Sequence, residues 1–256
     1  MSFVYKPPTE WTPPDVFPTQ LLKDAKEIAI DLETKDPSLK ELGPGYIRGD
    51  GEAVGISIAC DGFADYFPFA HESGFNFPKK RVLEFTKKIC ATNSDKIFHN
   101  STYDVGWLTK EGVTINGRII DTMIVAPLID ENQYWYSLNA LGREYINEGK
   151  TEAELNAAAE EWGLDPKAEM WRLPSAYVGT YATQDAALTL KLWNHFKILL
   201  EEQNLWNVFD LEMRVLPVIL AMKQKGVRVD LERAETLKTQ LVKREKDIIQ
   251  QIKKES

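Results

Sequence analysis

Cysteine is scarce in this sequence, which has only Cys60 and Cys90 among its 256 residues. The two cysteines show neither a paired spacing nor a zinc-ligand pattern, which excludes a disulfide-stapled secreted domain and favours a reducing compartment. Positive charge is also in short supply, because 31 Lys and Arg face 39 Asp and Glu and the formal net charge is −8. This balance argues against a protein that coats nucleic acid through bulk positive charge, although it does not exclude nucleic acid as a partner.

Long apolar stretches are missing as well. No apolar run reaches the ~18 residues of a membrane span, and the N-terminus lacks the basic-then-apolar pattern of a signal peptide. We therefore expect an intracellular, cytoplasmic protein. The apolar content of 43% and the charged content of 27% are those of an ordinary globular protein. The length suits one large domain, or one domain with an appendage.

The stretch Glu27–Thr34 carries the first candidate site. Apolar residues occupy every second position, which predicts a strand, and Asp31 and Glu33 share its other face. Their Cα atoms are then ~7 Å apart, and two ionised carboxylates at that separation need a proton, a basic partner or a bound cation. Carboxylate oxygens are preferred ligands of Mg²⁺ and Mn²⁺. Taken alone, two solvent-facing acids at a strand end are the simpler interpretation.

The other elements of the first half follow from the same periodicities. Asp61-Gly62 joins two alternating stretches and predicts a hairpin, and the prolines and glycines at 36–45 mark a loop. Asn100 or Ser101 is placed to cap a helix. The predicted elements are strands at 52–60, 63–70, 96–99 and 119–120, and helices at 78–90, 101–108 and 121–129.

Beyond Tyr136 the pattern is helical almost throughout and includes a long helix predicted at 181–202. Early strands, late helices and a helix between the third and fourth strands predict a mixed α/β domain. Residues 1–20 are rich in proline and predict an extended lead-in, which Trp11 and Phe17 pin to the core.

Two further acidic motifs stand at element ends. Asp104 falls in the first turn after the fourth strand, at a crevice where open α/β sheets bind ligands. Tyr181 and Asp185 are four residues apart in a helix and therefore project from one face. Each has a simpler interpretation alone, Asp104 as a favourable charge at a helix N-terminus and Tyr181 as a core residue. The neighbouring His99 receives no chemical role, because a buried strand-end histidine explains it equally well.

In combination, an acidic strand pair, an Asp after a strand and a Tyr-x-x-x-Asp helix resemble the tyrosine subclass of the DEDD exonuclease family. The segments 54–57 and 66–71 resemble the hairpin of the proofreading domain in family A DNA polymerases, and 121–123 and 137–141 resemble its next two helices. The resemblance covers residues 20–204. It implies an α/β, ribonuclease H-like mixed sheet with antiparallel first strands and then parallel ones, flanked by helices and followed by a C-terminal helical extension.

The resemblance also implies two-metal hydrolysis at DNA 3′ ends, by the N-terminal part of a family A polymerase in a bacterial or phage-infected cell. Asp31 would bridge two divalent cations, Mg²⁺ or Mn²⁺. Glu33 and Asp185 would hold the first cation, and Asp104 the second. Tyr181 would orient the attacking water.

Substrate-binding residues follow from the same resemblance. Thr34 and Asn100 match family residues that contact the terminal nucleotide. Tyr103 is a candidate for stacking on a freed base, and so is Trp107, for which core packing is the more natural role. Asp36-Pro37 stands where the family often carries a leucine wedge.

Residues 205–256 resemble the start of a polymerase thumb, in which Gly226 ends one helix and Asp230 caps the next. The predicted domains are a lead-in at 1–20, an exonuclease domain at 21–204 and a helical segment at 205–256, with the polymerase module missing from this chain. A helical hairpin that closes a standalone domain is the alternative.

The expected partner is a single-stranded or frayed DNA 3′ end, and no membrane association is expected. Two other functions stay open. One is a ribonuclease of the same superfamily that trims RNA 3′ ends, which a preference for 2′-hydroxyl ends would select. The other is a catalytically idle scaffold domain that only positions DNA, which a metal titration would test.

Overall fold

The computed structural model describes residues 9–255, and a five-stranded sheet forms its centre. The strands are β1 (Glu27–Lys35), β2 (Glu52–Cys60), β3 (Phe63–Pro68), β4 (Asp95–Phe98) and β5 (Ile119–Asp121). The helices are α1 (Thr19–Asp24), α2 (Leu39–Leu42), α3 (Gly45–Arg48), α4 (Lys79–Cys90), α5 (Ser101–Lys110), α6 (Thr122–Ile129), α7 (Leu138–Ile146), α8 (Ala153–Trp162), α9 (Ser175–Glu202), α10 (Trp206–Lys225) and α11 (Leu231–Glu255).

The sheet is mixed, with the strand order β3-β2-β1-β4-β5. β1 pairs antiparallel with β2 and parallel with β4, and β5 is parallel to β4. The register places Asp31 opposite Ser57 and Glu33 opposite Gly55, and it shifts between Glu33 and Thr34. The predicted mixed sheet, antiparallel first and then parallel, is confirmed.

The two faces of β1 have different roles. Ile28, Ile30 and Leu32 point into a core cluster shared with α4 and α5. Ala29 points to the other side, into a second cluster built largely from α6, α7 and α9. Because side chains alternate along a strand, Asp31 shares this second face, which α9 covers. The long helix α9 is therefore the element that closes over the acidic end of the strand.

The lead-in before α1 is held by aromatic side chains. Phe17 packs against Phe67, Phe77 and Phe85, with ring centroids 5.0, 5.1 and 4.9 Å away. Trp11 lies against Gly179 on α9, where a β-carbon would collide with the indole ring. The predicted pinning by Trp11 and Phe17 is confirmed, and residues 1–8 of the lead-in lie outside the described residues.

Three features differ from the predicted elements. α1 was not predicted, and the predicted loop at 36–45 contains the short helix α2 and runs into α3. α9 begins at Ser175 rather than Tyr181, directly after Pro174. Proline is compatible with a helix start, because its fixed φ suits that position and it needs no hydrogen-bond acceptor. Tyr181 therefore lies inside a helix that is already formed.

The described residues up to Leu220 form one compact unit, and those from 221 to 255 belong to a second. α10 ends before Gly226, whose φ is +68°. The Arg233 amide donates to the Asp230 carboxylate at 3.0 Å, which caps α11. The predicted helix end at Gly226 and the predicted cap at Asp230 are both confirmed. Among the described helices, none is both long and apolar enough to cross a membrane.

Candidate active site

Three carboxylates converge beneath α9. Single oxygens of Asp31, Glu33 and Asp185 lie within 4.8 Å of one another. The two β1 acids are partly buried and Asp185 is buried. The predicted shared strand face of Asp31 and Glu33 is therefore observed, and an acid from the long helix joins it.

Asp104 approaches the same place from α5. Its Oδ1 accepts a hydrogen bond from the Leu32 amide at 3.0 Å, and its side chain is buried. β4 pairs with β1 only from Glu27 to Ala29, so the Leu32 amide lies beyond the end of that ladder. Asp104 therefore binds the backbone of β1 beyond the point where β4 pairs with it, at the residue between Asp31 and Glu33.

The turn from β4 into α5 is held by a residue that sequence reasoning missed. Asn100 occupies the N-cap position of α5, as predicted, but its side chain makes no capping hydrogen bond to the helix. The Asp121 carboxylate accepts the amides of Asn100 at 3.0 Å and Ser101 at 2.7 Å, together with the Ser101 hydroxyl at 2.7 Å and the Met123 amide at 2.9 Å. Asn100, at φ +71°, depends on this support.

Tyr181 and Asp185 project from α9 together, and a lysine joins them. The Lys150 ammonium donates to Asp185 Oδ2 at 2.5 Å and to the Tyr181 hydroxyl at 3.2 Å. Lys150 lies between α7 and α8 in a loop without a periodic pattern, 35 residues before Asp185 along the chain. No local signal in the sequence could have placed it in the site.

The donor set suits a hard divalent cation. All three clustered residues offer carboxylate oxygens, the ligands that Mg²⁺ and Mn²⁺ prefer. Asp185 Oδ1 is buried and has no hydrogen-bond partner among the described residues, although its other oxygen is paired. A buried acceptor without a donor is costly, and a cation would satisfy it. The residues present therefore fit a metal.

These groups line one cleft of about 350 Å³. Asp31, Glu33, Asp104, Tyr181 and Asp185 all lie on its wall. The other lining residues are Leu32, His99, Asn100, Tyr103, Met123, Ser137, Leu138 and Lys150.

Residues 19–201 match the model of the 3′-5′ exonuclease domain of family A DNA polymerases. The chain belongs to this family. A DNA-directed DNA polymerase of Pseudomonas phage M6 is 35% identical over 250 residues, which cover 96% of this chain and 38% of that relative. The chain thus spans well under half the length of that polymerase.

Solved structures show the same fold. The POL domain of Pol1 from M. smegmatis, in complex with DNA primer-template and dNTP, aligns with a TM-score of 0.61 at 15% identity, over 93% of this chain and 35% of that one. Brucella melitensis NrnC with bound Mg²⁺ aligns with a TM-score of 0.57 at 20% identity, over 82% of this chain and 90% of that one. The ribonuclease H-like fold predicted for the exonuclease domain is confirmed.

The acids of the exonuclease domain resist ionisation. Burial and the neighbouring Asp185 raise the pKa of Asp31 to about 8, against a smaller lowering effect of Lys150. Burial and the charge of Asp31 raise the pKa of Glu33 well above its usual value. Burial also raises the pKa of Asp185, against the lowering effect of Lys150. At neutral pH the cluster therefore favours bound protons or bound cations over free negative charge.

Without divalent cations, the exonuclease domain is expected to lose stability as the pH rises between 3.8 and about 8, the unfolded and folded pKa values of Asp31. Over this window the folded state holds a proton that the unfolded state has released, so rising pH favours unfolding. Asp31→Asn removes the titrating group and should flatten part of this decline. Thermal unfolding in EDTA across the window measures it, and an equally steep decline in both proteins would contradict the assignment.

Two of the predicted substrate residues hold each other. Thr34 Oγ1 and the Tyr103 hydroxyl are 2.7 Å apart, and the same hydroxyl donates to Asp36 Oδ2 at 3.2 Å. Thr34 lines a separate cavity of about 420 Å³ beside Leu39, whereas Tyr103 lines both this cavity and the cleft. Trp107 is fully buried, so it packs in the core and offers no stacking surface.

Asp36, which stands where the family often carries a leucine wedge, has a structural role in this chain. Its carboxylate accepts the Gly45 amide at 2.9 Å and lies 3.3 Å from the Arg48 guanidinium, so it anchors the segment that carries α2 and α3.

His99 Nδ1 is 2.9 Å from Thr122 Oγ1, and burial lowers the pKa of His99 to about 4. A neutral, hydrogen-bonded imidazole fits the interpretation of His99 as a buried strand-end histidine.

Proposed function

We propose that this chain removes nucleotides from the 3′ end of single-stranded or frayed DNA by hydrolysis of the terminal phosphodiester bond. The observation that carries the proposal is the convergence of three carboxylates, a fourth buried acid and a tyrosine on one cleft. An idle scaffold would have no need for buried acids with raised pKa values, because such groups reduce stability at neutral pH.

The acids have separate roles in this proposal. Asp31, Glu33 and Asp185 would hold one divalent cation, Mg²⁺ or Mn²⁺, and Asp31 and Asp104 would hold a second. When bound, the cations supply the Lewis acidity that activates a water and stabilises the departing 3′ oxygen. The hydrogen bond from the Leu32 amide keeps Asp104 in place behind β1.

Tyr181 orients the attacking water through its hydroxyl. Burial raises the pKa of Tyr181, so the phenol keeps its proton and can donate it in a hydrogen bond. Because Lys150 donates to the same oxygen, the phenolic hydrogen can be donated to an acceptor in the cleft, which is either Asp185 or the attacking water.

The terminal nucleotide is proposed to contact Thr34, Asn100 and Tyr103. Asn100 is exposed on the cleft wall, and Tyr103 is held by its bonds to Thr34 and Asp36. A polymerase module of the family A type is the proposed partner that delivers the 3′ end, as the phage relative's name suggests. The same relative supports action in the cytoplasm of a bacterial cell.

The direct test is a cleavage assay on 5′-labelled single-stranded DNA in Mg²⁺ and in EDTA. Stepwise shortening from the 3′ end in Mg²⁺ alone is expected. An RNA oligonucleotide of the same sequence belongs in the same assay, and faster loss of RNA would select the ribonuclease alternative. Intact DNA and RNA under all conditions would overturn the proposed activity.

Tyr181→Phe is expected to lower the cleavage rate by up to ~10²-fold, the usual contribution of one positioned hydroxyl. Cation affinity should stay nearly unchanged, because the tyrosine is assigned to water. Tyr177→Phe is a matched control, since Tyr177 is also buried on α9 but does not line the cleft. Rates from single-turnover assays and affinities from calorimetry measure the two effects, and lost cation binding in Tyr181→Phe would contradict the assigned role.

A further inference from the structure

A positive charge lies inside the acidic cleft. The Lys150 side chain is only 13% exposed, and its ammonium forms an ion pair with Asp185 and a hydrogen bond with the Tyr181 hydroxyl. It also lies 4.8 Å from the centre of the Tyr181 ring. Lysine is almost never buried unless it is paired, so the acids are the reason that this side chain is inside.

The backbone around Lys150 is fixed from two helices. The Lys150 amide donates to Asn139 Oδ1 on α7 at 2.9 Å. The Gln184 side chain on α9 holds the loop on both sides of Lys150, donating to the Gly149 carbonyl at 2.9 Å and accepting the Thr151 amide at 2.6 Å. Because Gln184 precedes Asp185 directly, the loop that carries the ammonium and the helix that carries the acid are tied together.

The ammonium and a divalent cation depend on the same negative charge. Asp185 accepts a hydrogen bond from Lys150 through Oδ2, whereas its Oδ1, within the cluster of three carboxylates, has no hydrogen-bond partner among residues 9–255. The Lys150 ammonium is in hydrogen-bond contact with Asp185, so it repels any cation that binds to the same carboxylate. A partly buried site screens this repulsion only weakly.

We propose that Lys150 is a positioning residue that lowers the divalent-cation affinity of the cleft by holding Asp185 as its counter-ion. The role rests on the proposed function, since it concerns the cation of that reaction. Lys150 keeps the three acids together without a tightly bound metal, and a cation that enters must compete with it for Asp185.

Calorimetric titration of the full chain with Mn²⁺, without DNA, tests this proposal. Lys150→Met and Lys150→Gln are both expected to bind Mn²⁺ roughly tenfold or more tightly than the unmodified protein, because each removes one fixed charge. Lys150→Arg keeps the charge and should keep the weaker affinity. Lys191→Met is the matched control, because it removes a lysine from α9 whose partner is the exposed Glu148.

Thermal unfolding gives a second measurement. In EDTA both neutral Lys150 variants should melt below the unmodified protein, because Asp185 loses its partner, and Mn²⁺ should raise their melting temperatures by a larger amount. The glutamine variant retains a hydrogen-bond donor, so it serves if the methionine variant does not fold.

Equal or weaker Mn²⁺ affinity in the neutral variants would overturn the role of Lys150, as would the absence of Mn²⁺ binding in every protein tested. Failure of the proposed function looks different. In that case Mn²⁺ would bind, and more tightly to the neutral variants, while the unmodified protein shortened neither DNA nor RNA.

Discussion

Replacing Asp31 by Asn is expected to reduce 3′-end hydrolysis by ~10³-fold or more, the largest effect of any single change in this chain. Lewis-acid stabilisation by a metal is worth several kcal/mol, and each 1.36 kcal/mol corresponds to about tenfold in rate. Asp31 is the acid proposed to serve both cations, so its loss affects the attacking and the departing oxygen together.

The fold of the Asp31→Asn variant should remain intact. Asparagine has the shape of aspartate without the charge that burial and Asp185 oppose, so the melting temperature in EDTA at pH 8 is expected to equal or exceed that of the unmodified protein. Asp24→Asn is a suitable control, because Asp24 is exposed and its side chain accepts from the exposed Gln20. Single-turnover cleavage and circular dichroism give the two measurements, and retention of more than a small fraction of the activity would reject the metal assignment.

The parts of the site that depend on local geometry could be predicted from the sequence. The shared face of Asp31 and Glu33 follows from strand alternation, and the shared face of Tyr181 and Asp185 follows from helical spacing. Both hold in the structure because neither depends on what the elements pack against. The antiparallel pairing of β2 with β3 was predictable for a similar reason, since the hairpin turn at Asp61-Gly62 fixes it. The parallel half of the sheet was implied only by the family resemblance.

The parts that depend on long-range contacts could not be predicted. Lys150 reaches Asp185 across 35 residues, and Asp121 supports the turn at Asn100 from 21 residues away. Asp104 meets the Leu32 amide across 72 residues. Each contact joins elements that become neighbours only when the sheet and α9 are assembled, so neither periodicity nor capping preference signals it. The balance between the acids and the Lys150 charge also depends on such contacts, so it could not be predicted from the sequence either.

Frayed or mismatched DNA 3′ ends are expected to be degraded much faster than paired ends. The cleft of about 350 Å³ is of the size that holds a small ligand, so a duplex terminus must open before its last nucleotide can enter. Each base-pair step lost costs ~1.4 kcal/mol of stacking, close to a tenfold penalty. Opening two or three pairs should therefore slow cleavage of a matched end by about 10²- to 10³-fold.

Some of this penalty is recovered when the protein binds the freed bases. A base stacked on an aromatic ring contributes ~1–3 kcal/mol, and Tyr103 is the proposed surface for one base. Its ring is held by the hydroxyl contacts with Thr34 and Asp36, so little side-chain freedom is lost on stacking. Tyr103→Ala should therefore slow the single-stranded substrate as well as the paired one, whereas Tyr134→Ala, at a tyrosine 93% exposed and outside the cleft lining, is the control.

Time courses on matched, mismatched and single-stranded 3′ ends at one salt concentration measure the selectivity. The single strand is expected to be fastest, the mismatched end intermediate and the matched end slowest. Heating the matched duplex towards its melting temperature should close the gap, because thermal fraying then opens the end that the protein otherwise has to open. Equal rates on all three substrates at low temperature would mean that the site does not select by strand opening, and the preference for single-stranded or frayed ends proposed for this cleft would have to be abandoned.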